Sequence, residues 1–331
     1  MAFNDVTVNL SQDKAAGSAG FGVPLVIQGM ADAEIPYVEC AGLAEVMDAG
    51  YGEGSAVYRQ CGKIFMQDNR PRMVGVYAGT GKITQGLQLL GEESFRQVIP
   101  VFGESGDDTQ KELASYIEAT EDKMLFLSVP SVDALEGLGK LDRTVAIVYA
   151  GEDEGVEGAV VGATAGLAAG SFTYKDMIIK GIAPDKLTQA QLNGIHKAGG
   201  IAIVKKAGDI VTSEGFVLSG EYADVVDSRD YIIRNIAYKA QKKLNSALKL
   251  GFDNAGIGQL EVIVTGVLAE AYGMGMIAQT EDGDADYATD FDTREECPAS
   301  DRAARSYNGG RFHFGLAGAI HYATINGVMN V

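Results

Sequence analysis

The first residues whose types and spacing could do chemistry are the glycine-containing run Gly79-Thr80-Gly81-Lys82. A phosphate-binding loop needs Gly, four residues and then Gly-Lys followed by Ser or Thr, because backbone amides cradle the phosphates and the hydroxyl binds Mg²⁺. The position of its first glycine holds Val76, and Lys82 is followed by Ile83. Thr84 stands where a dinucleotide-binding fingerprint needs its third glycine. The run is therefore interpreted as a turn.

A second candidate is Asp282-Gly-Asp284-Ala-Asp286, whose carboxylates occupy the first, third and fifth places of a calcium-binding loop. The sixth place, which needs glycine, is Tyr287, and the twelfth, which needs glutamate, is Thr293. The surrounding segment 281–296 carries eight carboxylates against the single Arg294, a net charge of −7. This pattern favours a solvated acidic loop over a calcium site, and weak binding of divalent cations stays open.

The chain has only three histidines, His196, His313 and His321, and none stands in an HExxH zinc motif. It has no GxSxG nucleophile motif, and its three cysteines are widely spaced without a CxxC pair. We therefore expect structural histidines, reduced thiols, no cofactor, no metal ion and no catalytic residues. The sequence predicts a protein that is not an enzyme.

The charge balance limits the partners. The 331 residues include 27 Lys and Arg against 45 Asp and Glu, so the formal net charge is −18. Such a chain cannot neutralise phosphates, which argues against direct binding to nucleic acid or to an anionic membrane. The sequence also shows no signal peptide and no transmembrane segment. The length predicts about two domains.

Hydrophobic patterns predict an α/β fold. The apolar segments Met124–Val129 and Val145–Tyr149 flank a short helix at 131–138, which predicts a parallel strand pair. A strand is expected at 73–78, two short helices within 41–66 and a further helix at 107–119. Thr188 begins a capping box with Gln191, and a strand is expected from Ile201 to Val204.

Glycines recur at positions 158, 162, 166 and 170. On a helix they form one smooth ridge, and because each costs about 1 kcal/mol relative to Ala, tight packing must compensate. Two longer helices are predicted at about 228–249 and 257–272. Asp227 and Asp230 at the start of the first helix, and lysines at its end, match the helix dipole. Four of its lysines form either a solvated face or a polar contact with a tube or another subunit: Lys239, Lys242, Lys243 and Lys249.

Both ends of the chain alternate polar and apolar residues without a partner strand nearby in sequence. Val6, Val8 and Leu10 lie in the first such segment, and the second runs from Ile320 to Val328. A strand without a neighbour must pair far away in the chain or with another chain.

The C-terminal half carries an ordered series of segments that resembles the sheath proteins of contractile bacteriophage tails and of phage-tail-like bacteriocins. The series comprises Lys180-Gly-Ile-Ala-Pro-Asp-Lys-Leu-Thr188, Ile195-His-Lys-Ala-Gly-Gly200, Ser219-Gly-Glu-Tyr-Ala-Asp-Val-Val-Asp227, Phe252-Asp-Asn-Ala-Gly-Ile257, Asp301-Arg-Ala-Ala-Arg305 and Leu316-Ala-Gly-Ala-Ile-His321. Gly20-Phe-Gly-Val-Pro24 near the start also fits. Segment 281–296 is more acidic than the family pattern.

The resemblance implies a multi-domain α/β (α+β) subunit that polymerises helically around a tail tube and contracts to drive that tube through a bacterial envelope. It implies an N-terminal arm (1–22), an N-terminal α/β domain (23–170), a C-terminal sheath-like domain (171–305) and a C-terminal β arm (306–331). The arms would be exchanged between subunits through Val6, Val8, Leu10, Ile320, Tyr322, Thr324 and Val328. The implied partners are other copies, the tail tube protein, the baseplate and the tail terminator, in a virion tail assembled in the bacterial cytoplasm.

Two other classes of protein remain compatible with the residues. The parallel strands and glycine-rich helix also suit an α/β enzyme that acts on a small molecule, since fold class alone does not define activity. Another tail component or a self-assembling surface-layer protein would also carry unpaired strands.

Overall fold

The structure is a computed structural model that describes residues 22–91, 93–103 and 109–324. The first elements in chain order are β1 (Val23–Gln28), β2 (Ile35–Cys40), α1 (Leu43–Asp48), α2 (Ala56–Phe65), β3 (Val74–Ala78), α3 (Ile83–Leu89), β4 (Phe95–Val101), α4 (Gln110–Thr120), β5 (Met124–Val129), α5 (Val132–Glu136), β6 (Thr144–Val148) and α6 (Val156–Thr164). The later elements are α7 (Gln189–Ala198), β7 (Ile203–Lys206), β8 (Asp209–Thr212), α8 (Ala223–Ser246), α9 (Asn254–Gly273), β9 (Tyr287–Phe291), α10 (Ala299–Ala304) and β10 (Gly310–Phe314).

Six strands form the central sheet in the order β2-β3-β1-β4-β5-β6. All neighbouring strands are parallel except β2, which pairs antiparallel with β3 at one edge. The pair β5 and β6, joined through α5, confirms the parallel pair predicted from sequence. The predicted α/β class is confirmed, and the two separate hairpins β7–β8 and β9–β10 provide its antiparallel part.

Helices cover both faces of this sheet. Val26 of β1 faces a core shared with α1, α2 and α6, whereas Leu25 and Ile27 face a core shared with α3, α4, α5 and α7. Burial on both faces is typical of parallel sheets and explains their continuous apolar strands. Both cores continue beyond residue 170, since Tyr174 lies in the first and Ile195 in the second.

The glycine ridge allows α6 to approach α2 closely. A Cβ atom added at Gly158 would lie 2.6 Å from the carbonyl oxygen of Gln60, and one at Gly162 would lie 2.6 Å from that of Ile64. The predicted tight packing is therefore confirmed. The helix ends at Thr164, and Gly170 adopts a positive φ of 76° outside it.

The capping box of α7 is also confirmed. The amide of Gln191 donates to the Thr188 hydroxyl (3.3 Å), while the Gln191 side-chain oxygen accepts from the Thr188 amide (2.9 Å). Beyond this helix, Ile201 makes a parallel bridge to Ile147, and the strand β7 itself runs from Ile203 to Lys206. The predicted strand at 201–204 is therefore shifted toward the C-terminus.

A third core joins α8, α9 and the β9–β10 hairpin. Ile232 of α8 and Leu268 of α9 are fully buried in it, and Phe291 and Phe314 of the hairpin pack against it. The helix α8 starts at Ala223 and ends at Ser246, so the prediction of 228–249 missed its first turn and placed Lys249 inside the helix. Among the described residues, none of the helices combines the length and hydrophobicity that a bilayer crossing requires.

Candidate functional site

A cluster of buried charges attaches α8 to the central sheet. The Arg96 guanidinium of β4 lies 2.9 Å from Asp227 and 2.8 Å from Asp230, and Arg143 lies 2.6 Å from Asp230. The Tyr174 hydroxyl donates to Asp227 (2.8 Å). All of these side chains are at least nine-tenths buried. Sequence reasoning assigned Asp227 and Asp230 to the helix dipole. The helix begins at Ala223, so both residues lie beyond the first turn, where the dipole acts, and their carboxylates pair with buried arginines instead.

The ionisation of this cluster follows from its contacts. Burial alone would lower the pKa of Arg96, but Asp227 and Asp230 raise it above its ordinary value. Burial would raise the pKa of Asp230, but hydrogen bonds from Arg143 and the charge of Arg96 lower it. Arg96 and Asp230 are therefore both charged near neutral pH, and their ion pair holds α8 against the sheet.

The segment after β10 is fastened first onto the residues that follow α9. The carbonyl of Gly315 accepts from Ala278 (2.8 Å), and the amide of Ala317 donates to Met276 (2.9 Å). Further along, His321 Nε2 lies 3.1 Å from the Thr173 hydroxyl, and its ring meets that of Tyr222 edge to face at 4.6 Å.

Glu214 is the centre of this attachment. Its fully buried carboxylate pairs with Lys175, accepts the Tyr322 hydroxyl and lies 3.3 Å from His321 Nδ1. The Lys175 ammonium also lies 3.5 Å from the centre of the Tyr322 ring. Burial would raise the pKa of Glu214, but the hydrogen bonds from Lys175 and Tyr322 lower it. His321 and Tyr322 are thus held against the subunit through Glu214.

Three of the predicted β-arm residues lie beside this attachment, within the described part of the chain. Ile320 (90% exposed), Tyr322 and Thr324 lie outside any strand within the described part of the chain, so the alternation there forms no strand inside one subunit. Val6, Val8, Leu10 and Val328 lie outside the described residues.

The acidic segment 281–296 forms a turn and the strand β9. Strand β9 pairs antiparallel with β10, with Phe291 opposite Gly310 and Tyr287 opposite Phe314. Arg311 on β10 bridges Asp290 (2.9 Å) and Asp292, and its hydrogen bond lowers the pKa of Asp292. The charge of Arg311 is therefore matched within the subunit.

The four lysines assigned to a tube or subunit contact do not form one group. Lys239 pairs with Glu270 of α9 (2.6 Å), so its ammonium joins two helices of the same subunit. Lys242 is exposed and lies 5.9 Å from the Tyr238 ring centre. Lys243 is half-buried in the last turn of α8, and Lys249 is exposed in the following loop.

The segments first considered for chemistry have structural roles. The carbonyls of Gly79 and Gly81 accept from the amides of Ala31 and Met30, and the Lys82 ammonium pairs with Glu112 (2.8 Å). His196 lies 2.9 Å from the Ser213 hydroxyl, and burial lowers the pKa of its ring. Over ranges 22–91, 93–103 and 109–324, no group of three or more His, Cys, Asp or Glu side chains is arranged to hold a metal ion.

Sequence reasoning missed Arg96, Arg143, Lys175 and Glu214, which form the two buried charge clusters. A lone charged residue inside an apolar run, as Arg96 is in β4, was the one available signal, because a charge is buried only when it is paired.

The fold is that of contractile sheath proteins. No protein-family model matches the chain, and no curated protein matches its sequence. Solved structures do match. The helical sheath of the anti-feeding prophage in its contracted state aligns with a TM-score of 0.73 and 11% identity, over 99% of this chain and 100% of that one.

Two further structures have the same fold. The contracted PVC sheath complex of an extracellular contractile injection system aligns with a TM-score of 0.74 and 9% identity, over 100% of this chain and 98% of the other. A sheath tail protein from Listeria innocua aligns with a TM-score of 0.60 and 12% identity, over 83% and 91%. The resemblance inferred from the order of the sequence segments is confirmed at the level of the fold.

Proposed function

We propose that this chain is the structural subunit of a contractile tail sheath, which polymerises helically around a tail tube and contracts to drive the tube through a bacterial envelope. The observation that carries the proposal is the alignment over nearly the whole of both chains with sheath subunits in contracted assemblies. Such an alignment includes the peripheral hairpin and the C-terminal segment, which a small-molecule enzyme has no need to share.

The β9–β10 hairpin supports exchange of strands between subunits. Its two strands pair only with each other in the described part of the chain, so both outer edges offer backbone hydrogen bonds. An exposed edge readily accepts an added strand. Residues Val6, Val8 and Leu10 of one neighbour, and Ile320, Tyr322, Thr324 and Val328 of another, have the alternation that such strands need.

The proposal assigns a role to each part of the chain. We infer that arms 1–22 and 306–331 connect subunits, with β10 of the second arm paired to β9 of its own subunit, and that domains 23–170 and 171–305 form the body of the sheath. We infer that the other partners are the tail tube protein, the baseplate and the tail terminator, and that the location is the tail of a particle assembled in the bacterial cytoplasm. Lys239, Lys242, Lys243 and Lys249 remain proposed polar contacts with the tube or with a neighbouring subunit.

Removal of residues 1–15 tests the proposal directly. We expect the full chain to form helical tubes or stacked rings in negative-stain electron microscopy, and the shortened chain to stay folded by circular dichroism but unpolymerised. Discrete small oligomers of the full chain would favour the α/β enzyme instead. Normal long tubes from the shortened chain would disprove the role of the N-terminal arm.

A further inference from the structure

A groove with a basic lining opens at one end of the β9–β10 hairpin. It lies between the end of α8, the start of α9 and α10, has a volume of about 1050 Å³, and is called here the α8–α10 groove. Its lining includes Leu244, Leu248, Ile257, Arg294, Arg302 and Arg305. Leu248 is fully exposed, and Leu244 is half exposed. The apolar part of this lining is therefore uncovered in the single subunit.

Two of the basic groups in the groove have no carboxylate partner within the described ranges. Lys249 and Arg305 form no ion pair with any described residue. Arg302 directs its guanidinium to the backbone carbonyls of Arg294 (3.0 Å) and Cys297 (2.7 Å). The one acidic side chain in the lining, Asp253, caps α9 through the amide of Gly256 (2.8 Å). Of the four basic side chains in the lining, Arg294 and Arg302 lie near Glu295 and their charges help to lower its pKa, whereas Lys249 and Arg305 stay unmatched within the described ranges.

The acidic charge lies at the other end of the same hairpin. Residues 280–286 form a turn closed by a hydrogen bond from Thr280 to Asp284 (2.8 Å), called here the acidic turn. Glu281, Asp282 and Asp284 on this turn are exposed and form no ion pair within the described ranges. The five-residue strand β9 separates the turn from the groove, about 15 Å at the rise of an extended strand. The turn of one subunit is therefore placed away from its own groove.

The basic charge in the middle of the hairpin is already paired, so it does not bind the charges at either end. Arg311 already pairs with Asp290 and Asp292. Within the hairpin, opposite charges therefore remain at its two ends, and a head-to-tail arrangement of subunits would bring them together.

We propose that the acidic turn of one subunit docks against the α8–α10 groove of a neighbouring copy of the same chain. This inference rests on the proposed function, since it identifies one contact of the proposed polymer. A contact between two different surfaces of identical chains does not close on itself and produces a helical or stacked assembly. The opposite charges set the register between the two subunits and increase the rate of association. Burial of Leu248 in the contact adds a hydrophobic contribution to its stability.

Charge reversal tests the contact with surface residues that have no structural role. The turn variant is D282K/D284K, the groove variant is K249E/R305E, and D133K/D209K is a control with two exposed carboxylates elsewhere. We expect each of the first two to need at least a tenfold higher concentration to form sedimenting polymer, given the coupling of close charge pairs across interfaces. The control is expected to assemble like the unmodified chain.

Restoration of complementarity makes the test specific. The variant that carries all four reversals is expected to polymerise again, as is an equimolar mixture of the turn and groove variants. If folded turn and groove variants assemble normally, or if the fourfold variant stays unassembled, the contact is disproved while the proposed function stands. If the unmodified chain forms no polymer at all, the proposed function fails and the contact fails with it.

Discussion

The Arg96 guanidinium lies 2.8 Å from the carboxylate of Asp230, although the two residues are 134 positions apart in the chain. Arg96 is on the central strand β4, and Asp230 is on α8, which carries the third core and the hairpin behind it. Because both side chains are buried, the pair fixes one orientation of α8 on the sheet.

Replacement of Asp230 by Asn is expected to destabilise the protein by about 3–5 kcal/mol, because it leaves Arg96 and Arg143 buried without one of their counter-charges. The free energy of unfolding, measured with urea at neutral pH, checks this. The matched control is D209N, an exposed carboxylate, for which we expect a change below about 0.5 kcal/mol.

The same variant changes the pH dependence of stability. The pKa of Asp230 is lowered in the folded state, so its contribution is complete above the ordinary Asp pKa of about 3.9 and is lost as the pH falls through the lower folded value. We expect the unmodified chain to lose this stability in acid and D230N to lack that part of the loss. Parallel pH profiles for the two proteins would contradict the assignment.

The glycine ridge predicts opposite effects of alanine at two helix positions. G162A places a Cβ atom 2.6 Å from the Ile64 carbonyl oxygen, so we expect a loss of about 1–3 kcal/mol from overpacking. G194A, in α7 where a Cβ meets no atom within 4 Å, is expected to stabilise the helix by about 0.5–1 kcal/mol. Thermal unfolding of both variants is the measurement, and equal shifts would refute the packing role of the ridge.

The attachment of the C-terminal segment depends on His321. H321A removes the contacts to Thr173 and Glu214, so amides of 315–324 are expected to exchange with solvent about tenfold faster, the equivalent of one hydrogen bond. I320A, at a 90% exposed position, should leave exchange unchanged.

The same attachment is expected to depend on pH. Because the pKa of Glu214 is lowered, the attachment is expected to persist above the ordinary Glu pKa of about 4.3 and to weaken as the pH falls below that value.

The lysines of α8 give a prediction about assembly. K242E/K243E reverses two charges that have no ion pair in the described ranges, so we expect normal stability but fewer or shorter tubes in electron microscopy. K111E, an exposed charge reversal on α4, is the control and should leave tubes unchanged. Tubes of normal length from the double variant would identify this surface as a solvated helix face.

The sequence predicted the elements whose residues repeat with a clear period. The strands β5 and β6 are predominantly apolar, with one hydroxyl residue each, and α7 has a complete capping box, so local rules were sufficient. The strand β4 was missed because Arg96, Gln97 and Pro100 interrupt its apolar pattern, although all seven of its residues are buried. Its polar residues are accommodated by partners far away in sequence, which no local window contains.

The candidate interaction sites were likewise predictable only in part. Alternation at the chain ends and the acidic segment were visible in sequence, because they depend only on residue order. The roles of Arg311 and Lys239 were not visible in the sequence. Folding brings Asp292 beside Arg311 and Glu270 beside Lys239, and the sequence alone does not show these pairs.

The sequence by itself determined the α/β class, the tight packing at Gly158 and Gly162, the net charge of −18, and the sheath-like order of segments. Each of these follows from residue type and short-range spacing. Only the tertiary structure decided which charges are matched inside the subunit and which stay uncovered at the acidic turn and the α8–α10 groove. The physical reason is that electrostatic and packing energies depend on distances between atoms, and for residues such as Arg96 and Asp230 those distances exist only in the folded chain.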